Sequence, residues 1–483
     1  MDISENIVIY GVGKRGGSLI DLLDLCGMSV GHIIDSNEAL WGKKIGKHAI
    51  EAPEVLRNET ELEICITVGS FLAIADIRKM LNQQYERYKE ISYYSLIMYL
   101  YQKIDVEGLI RKELLCERAY TTVIFGCESG LGLGGIEEWT KGICSKFLRE
   151  GEYEAHILVD RGTYNISEEL ENSLIRADID SGQMFSIHNM VQILNSILPY
   201  LPCILVTSQP DQTLLAGKML RDIFGGKVKV ISGIRGGYAE INDSYMDMRE
   251  CTDIYVCVNS AIRKDMIERG VQTENVYTML CPVECPSQLE RSYSLSSETP
   301  LKIGFAGRLE KEEKRIDLLL MVIEILEEKK VLYQITFAGV GSYEKEIKQF
   351  TDKHACGERI KLLGRLDKEA IKNFWKEQDV CVNISDHEGR SRSTVEAMAN
   401  GAVPVVTGTW GVRDDIRDGE NGYIVSVRDY IAMAERLCYL EKNRERLPEM
   451  GRKAYEELRK KSSMENHYRF WQKMIGLVLG ETR

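Results

Sequence analysis

The sequence predicts an α/β protein built from parallel, doubly wound sheets, and three observations carry that expectation. Short apolar runs of strand length alternate with amphipathic helical stretches along the whole chain, which is the pattern of successive βαβ units. Two glycine loops, Gly11-Val-Gly13-Lys-Arg-Gly16 and Gly130-Leu-Gly132-Leu-Gly134-Gly135, each follow a strand and open a helix. The length of 483 residues corresponds to roughly two to four domains, each large enough to bury its own core.

Composition narrows the class further. The chain carries 62 Lys+Arg against 74 Asp+Glu, a net charge of −12, and has no long basic run. Nucleic acid is therefore not expected as a partner, because non-specific binding needs clustered cations. Thirteen cysteines, an odd number scattered from Cys26 to Cys438, suit a reducing compartment rather than a disulfide framework. Cys281 and Cys285 are the closest pair, and no His or Cys set around them completes a zinc site; no metal is expected. The N-terminal MDISENIVIY lacks a basic leader, and no run approaches the roughly 18–20 apolar residues that span a bilayer. The expectation is a cytoplasmic protein.

The elements follow in order. Ile7–Tyr10 reads as a strand, the Gly11–Gly16 loop leads into an amphipathic helix, and further strands end at Asp35 and Ser70. From Ser92 the stretch SYYSLIMYLYQKIDVEGLIRKELL predicts an aromatic-rich helical connector. A second unit restarts at TTVIFG and continues through EAHILVD, CILVTS, KVKVISG and DIYVCVNS. The polar QLERSYSLSSETP at 288–300 reads as a linker. The third unit contains LKIGFAG, YQITFAG, RIKLLG, VCVNIS, AVPVVTG and GYIV. It closes on an amphipathic helix that offers Tyr468, Phe470, Trp471, Met474 and Ile475 for packing. The domains expected are residues 1–105, a connector at 106–117, then 118–290 and 291–483.

Chemistry concentrates in the third unit. Strand VCVNIS ends in a loop of Asp386, His387, Glu388, Gly389, Arg390, Ser391, Arg392 and Ser393, and the next helix carries Glu396. Ligands of open parallel sheets bind beyond the carboxyl ends of the strands. A helix N-terminus suits phosphate, and carboxylates can hold sugar or ribose hydroxyls. The bland alternative makes Ser393 a helix cap with Glu396 as its capping-box partner. In LKIGFAGRLEKEEKRIDLLL the strand ends at Gly307 and Arg308 follows at once, with Lys314 and Arg315 nearby. Such cations would neutralise a diphosphate; a solvated charge run is the alternative.

The order GRL, EKR, DLLL, FAGVGS, LLGRL, EGRSRSTVEAMANGAVPVVT and ENGYIV resembles the group-one glycosyltransferases (carbohydrate-active family four) over residues 118–483. The resemblance implies the GT-B fold, two Rossmann-like doubly wound domains facing a cleft, and retaining transfer from a nucleotide sugar without a metal. It assigns Arg308 and Lys314, after Gly307, to the donor diphosphate, and backbone N–H groups of Gly389, Arg390 and Ser391 to donor sugar and phosphates. Glu388 would meet the transferred sugar and Glu396 the ribose, while Gly134 and Gly135 would let backbone approach the phosphates. No cofactor is required for transfer; the donor implied is a nucleotide sugar, UDP-sugar favoured, and the acceptor a glycan or lipid-linked saccharide of surface polysaccharide biosynthesis.

Departures from the family pattern are specific. Lys314 lies one residue further from GRL than is usual, so Lys311 or Arg315 are alternative cations. The histidine common in the N-terminal domain of relatives is missing; Ser208, Gln209, Asp211 or Arg235 would substitute. His387 is the nearest histidine to the motif, and the roles of Asp414 and Asp415 stay open.

The first unit stands outside this resemblance. Gly11, Gly13 and Gly16 with Asp35 match a dinucleotide fingerprint in spacing, and the unit resembles the small Rossmann-like domains of bacterial sugar-modifying enzymes. A second nucleotide, sugar nucleotide or NAD(P) is the ligand that pattern allows, against a docking domain whose glycines serve packing. Two other functions follow: a nicotinamide-dependent or sugar-nucleotide-modifying enzyme acting through this unit, and a non-catalytic GT-B partner. Peripheral membrane contact would fall to the connector around Tyr93–Tyr101, whose simpler role is packing.

Overall fold

Three wholly or largely parallel sheets of four, seven and six strands organise the computed structural model. The structure describes residues 6–59, 62–85, 88–132, 134–354 and 356–481. By internal contacts the chain forms two compact units. One is Met1–Gly233 with Ala239–Tyr255 and Ile475–Arg483, the other Ile234–Tyr238 with Val256–Met474.

In the first unit, β1 (Ile7–Tyr10) is fully buried and leads through the glycine loop into α1 (Lys14–Leu25). It sits between β2 (Val30–Ile34) and β3 (Leu62–Ile66), and after α2 (Phe71–Gln84) the short β4 (Tyr88–Glu90) closes a β2-β1-β3-β4 sheet, all parallel. Its core gathers Val8, Tyr10, Ile34 and Ile64 from the strands with Leu56 and Leu81 from a 3-10 turn and α2.

The connector is helical only over α3 (Tyr93–Tyr101), where the sequence reading ran on to Leu115. Beyond it come 3-10 turns at Glu107–Leu109 and Lys112–Leu114. The helix ends at its Gln102 cap, and further on the Asp105 carboxylate accepts the Gly108 N–H at 3.1 Å, a local side-chain bond that favours a turn. The aromatic rings serve packing. Tyr93 and Tyr94 are 5% and 8% exposed and meet Phe185 edge-on at 6.0 and 6.1 Å. Tyr101 donates to the Phe185 carbonyl at 2.8 Å and Ser95 to Asp247 at 3.0 Å.

The second sheet comprises β5 (Thr122–Gly126), β6 (Glu154–Val159), β7 (Leu174–Arg176), β8 (Cys203–Thr207), β9 (Val228–Ile234), β10 (Ile254–Cys257) and β11 (Val276–Thr278). Their order is β11-β10-β9-β8-β5-β6-β7. Helix α4 (Gly135–Glu150) follows its glycine loop, and α5 (Gln212–Phe224) follows β8.

The third sheet, in the second unit, orders β12 (Leu301–Ala306), β13 (Tyr333–Ala338), β14 (Ile360–Leu362), β15 (Val380–Asn383), β16 (Val403–Thr407) and β17 (Tyr423–Val425) as β14-β13-β12-β15-β16-β17. Every pair is parallel. Helix α6 (Ile316–Glu328) buries Leu319, Val322, Ile323 and Leu326 over Ile303, Phe305, Ile335 and Phe337. All the strands anticipated for this unit form. The thirteen cysteines are free thiols, and no helix among the described residues is long and apolar enough to cross a membrane.

The last helix, α8 (Met464–Leu479), buries Tyr468, Trp471, Met474 and Ile475 as expected. His467, 1% exposed, accepts a hydrogen bond at Nε2 from Trp471 Nε1 at 3.0 Å, which requires a neutral ring. Burial and then the Arg235 charge push its pKa down to about 3.

Two predictions follow from the packing. A Cβ on Gly16 would lie 2.0 Å from the Gly11 carbonyl oxygen, whereas one on Gly13 meets nothing within 4 Å. Gly16→Ala is expected to cost about 1–3 kcal/mol in urea unfolding, and Gly13→Ala less than about 1 kcal/mol. For His467, the unfolded ring takes a proton near pH 6.5 while the folded ring stays neutral down to about 3. Acidification therefore favours the unfolded state, by up to about 1.4 kcal/mol per pH unit below 6.5. His467→Gln should lose less stability between pH 7 and 5 than the parent chain does.

Candidate active site

Two loops leave the carboxyl edge of the third sheet from neighbouring strands: residues 307–315 after β12 and 384–391 after β15. Gly307 ends the first strand with its N–H on the Ala338 carbonyl at 3.0 Å. Glu313 and Arg315 then adopt left-handed φ values of +59° and +51°, a conformation that costs a non-glycine residue about 1–2 kcal/mol. Side-chain bonds offset the strain. Arg315 makes two bonds of 3.0 Å to Asp317 and reaches Asp386 at 3.1 Å.

Between these two residues stands Lys314. Its ammonium meets Glu388 Oε1 at 2.5 Å, with the two side chains 19% and 15% exposed. The same oxygen accepts from Ser385 Oγ at 3.0 Å and Asn383 Nδ2 at 3.4 Å. Of the three cations the sequence left open, Lys311 is exposed and Arg315 is committed to Asp317 and Asp386. Lys314 is the one that meets Glu388. Arg308 is 59% exposed and held by Glu310 at 3.0 Å and Glu313 at 2.5 Å.

Tyr238, which sequence reasoning missed, completes this cluster. Its hydroxyl donates to Glu313 at 2.5 Å, and its ring stacks on His387 at 4.4 Å. Burial alone would raise the Glu313 pKa, but the Tyr238 hydroxyl and the Arg308 charge outweigh it and hold the carboxyl below its ordinary range. Burial and the Glu313 carboxylate raise the Tyr238 phenol in turn. The only sequence signal was Gly236-Gly237 after a strand, a turn signature.

That turn touches the motif directly. A Cβ on Gly389 would fall 2.1 Å from the Arg235 carbonyl oxygen, and one on Gly237 would fall 2.4 Å from the Glu388 carbonyl carbon. Only glycine fits at either position. Arg235 itself donates to Cys281 Sγ at 3.1 Å, and Ser260 bonds Asp414 at 2.6 Å.

Helix α7 (Arg392–Ala399) begins earlier than the capping alternative requires. Its cap is Ser391, not Ser393, with Asn383 Nδ2 donating to the Ser391 hydroxyl at 2.7 Å. Glu396, 24% exposed, therefore does not serve a capping box; it accepts from Arg392 Nε at 2.8 Å. The Arg390 side chain is structural: 3% exposed, it grips Asp415 at 2.8 and 2.7 Å and Ser462 at 2.7 Å. A cavity of about 20 Å³ lies among Asn383, Ser391, Thr394, Thr407 and Gly411, room for a water rather than a nucleotide.

In the first unit, Gly134 is the N-cap of α4, with the Glu137 carboxylate folded back over it, and Gly135 is open. Asp211 caps α5 through Leu214 N–H at 3.0 Å. Glu128, a second residue the sequence did not single out, accepts from Gln212 Nε2, Thr213 N and Thr213 Oγ1, each at 2.9 Å. Burial raises both carboxyls, and the Glu128 charge raises Asp211 further. Asp35 accepts from Val12 N–H at 3.1 Å and Asn37 N–H at 2.8 Å, so it fixes the glycine loop. Among the described residues no group of three His, Cys, Asp or Glu side chains could hold a metal ion.

Residues 287–457 match the family of glycosyl transferases, group 1. The matched span holds Arg308, Lys314, Glu388 and Glu396. EpsD of Bacillus subtilis (strain 168) is 28% identical over 191 residues, 40% of this chain and 48% of EpsD. A poly(ribitol-phosphate) alpha-N-acetylglucosaminyltransferase of Staphylococcus aureus (strain COL) is 29% identical over 162 residues, 33% of this chain and 32% of that enzyme. The chain thus spans about half the length of one relative and a third of the other. Anabaena HepE in complex with UDP superposes with a TM-score of 0.60 at 13% identity, covering 74% of this chain and 100% of that one. Sucrose-phosphate synthase from Thermosynechococcus elongatus gives 0.61 at 14%, covering 75% and 100%. The fold is GT-B, with the four-stranded sheet as an addition.

The buried Arg390–Asp415 pair yields a stability prediction. Arg390→Met should destabilise by about 3–5 kcal/mol in chemical unfolding, because it strands a buried carboxylate. Adding Asp415→Leu should recover part of that loss.

Proposed function

We propose that the chain is a retaining, metal-independent glycosyltransferase that moves a sugar from a UDP-sugar to a glycan or lipid-linked saccharide in surface polysaccharide biosynthesis. The observation that carries the reading is the shielded Lys314–Glu388 pair, set beside Arg308 at the carboxyl edge of the third sheet. The name of the staphylococcal relative and the UDP bound in HepE support a sugar-nucleotide donor.

Transfer breaks the bond between the anomeric carbon and the diphosphate oxygen, and the electron pair leaves with the diphosphate. Arg308 and Lys314 supply fixed positive charge where that negative charge grows, which lowers the barrier without reorganisation. Backbone N–H groups from Gly389 to Ser391, at the start of α7, add to it. Glu388, drawn in by Lys314, faces the transferred sugar, and Glu396 takes the ribose hydroxyls. The acceptor hydroxyl bonds to the same face of the anomeric carbon, and its proton passes to the departing phosphate oxygen. Arg308 must leave Glu310 and Glu313 to serve the donor, an exchange made easy by its 59% exposure.

The test is thermal-shift binding of UDP, GDP, ADP, their common sugars and NAD(P) without added metal, followed by transfer assays with the stabilising donor. UDP compounds are expected to stabilise the chain, and Glu396→Ala and Arg308→Ala to lower transfer by about a hundredfold or more while the fold survives. Full activity in both variants would refute the reading.

A second reading concerns the first sheet alone. Gly11 and Gly16 are accounted for by packing, but Gly13 faces open space, which leaves room for a nucleotide phosphate. Gly13→Val should abolish any nucleotide or NAD(P) shift that Glu396→Ala leaves intact; a shift surviving Gly13→Val removes this reading.

A further inference from the structure

The donor-cation loop and the glutamate loop are tied together at a point where neither motif residue takes part. Asp386 lies two residues before Glu388, and its side chain is 10% exposed. Two arginines from separate segments converge on it. Arg315 reaches its carboxylate with Nη1 at 3.1 and 3.4 Å. Arg428 reaches it with Nε at 3.1 Å to both oxygens and with Nη2 at 2.8 Å. Both arginines hold left-handed backbone, with φ of +51° and +68°, a conformation that persists in side chains of this kind only where the surroundings over-determine it. The Asp386 N–H also donates to the Glu313 carbonyl at 2.8 Å. The two loops are therefore joined by backbone on one side of Lys314 and by charge on the other.

We propose that Asp386, gripped by Arg315 and Arg428, is a positioning residue that sets the glutamate loop in register with Lys314 and so places Glu388 at the reacting sugar. This rests on the glycosyltransferase reading given above and names residues outside its donor contacts. Arg315 follows Lys314 directly, so whatever fixes Arg315 fixes the ammonium that meets Glu388 at 2.5 Å. Asp386 also neutralises two cations beside that pair, which keeps Glu388 from being drawn towards Arg315 instead. Its carboxyl sits below the ordinary range: burial opposes this, but bonds from Arg428 and Arg315 prevail. The carboxylate stays charged through the neutral range.

The test compares Asp386→Asn, Arg315→Gly and the double variant in the full chain. UDP is the binding probe, and UDP-glucose and UDP-N-acetylglucosamine are the turnover probes. Arg315→Gly is informative because glycine takes a φ of +51° without strain, so the clamp is lost while the backbone is kept. The expected result is a melting temperature within about 2 °C of the parent for Arg315→Gly. Its kcat should fall about tenfold with the UDP dissociation constant changed less than about threefold, the signature of misplaced groups rather than lost binding. Asp386→Asn should show the same split, and the double variant should fall no further than the lower single variant. Parental kcat in Arg315→Gly, or losses that multiply in the double variant, would overturn the proposal while leaving the transferase reading intact. A parent chain that neither binds UDP nor turns over either sugar overturns both.

Discussion

A lysine and a glutamate, each less than one-fifth exposed, meet across two loops that leave neighbouring strands of one sheet. Strands β12 and β15 are paired in register at Ile303–Val380 and Gly304–Cys381. Parallel strands lie about 4.8 Å apart, so loops leaving the same edge must share space. Opposite charges make that crowding favourable, and hydrogen bonds from Ser385 and Asn383 converge on the same Glu388 oxygen that meets Lys314. The strained turns at Glu313 and Arg315, the start of α7 at Ser391 and the bare glycines at 237 and 389 all serve the same approach of backbone to backbone.

The site is electrostatically self-satisfied before any substrate arrives. Arg308 rests on Glu310 and Glu313, Lys314 on Glu388, and Arg315 on Asp317 and Asp386. On the function proposed above, a diphosphate entering such a site would trade one set of oxygens for another, so that the positive charges would never stand alone in a low-dielectric setting. Exposure orders the trade: Arg308 lies in solvent, while Lys314 is shielded and shares a carboxylate that two other donors help to hold.

Much of this was legible from sequence because strands β12 to β17 are short segments rich in Val, Ile, Leu, Phe and Tyr, most of them closed by glycine or polar residues. The pairing of Arg308, Lys314 and Glu388 at one sheet edge follows from topology once the strands are placed. Other features depend on contacts that no local pattern announces. Tyr238 lies 75 residues from the glutamate it bonds, and nothing around it signals that partner. Ser391 and Ser393 are equally good caps by composition, and the choice falls to Asn383, which bonds Ser391 across the strand end. The strands β4, β7 and β11 have three residues each, too few for alternation to show, and they lack the apolar run and closing glycine or flanking turn that marked the equally short β14 and β17. Beyond the end of α3 the Asp105 carboxylate takes the Gly108 N–H, a local bond that apolar periodicity does not announce.

The aromatic face of α3 has a consequence for how the chain folds. Its tyrosines bury against Phe185 and its serines bond Asp247, so one short helix carries apolar and polar attachments from the first sheet into the elements of the second. These elements belong to a single compact unit, and elements tied by buried contacts within one unit tend to lose their order together. The first sheet is thus no detachable appendage. Heat or denaturant should melt both sheets as one cooperative block, and a chain trimmed to the transferase-like portion would begin its life with an uncovered hydrophobic face.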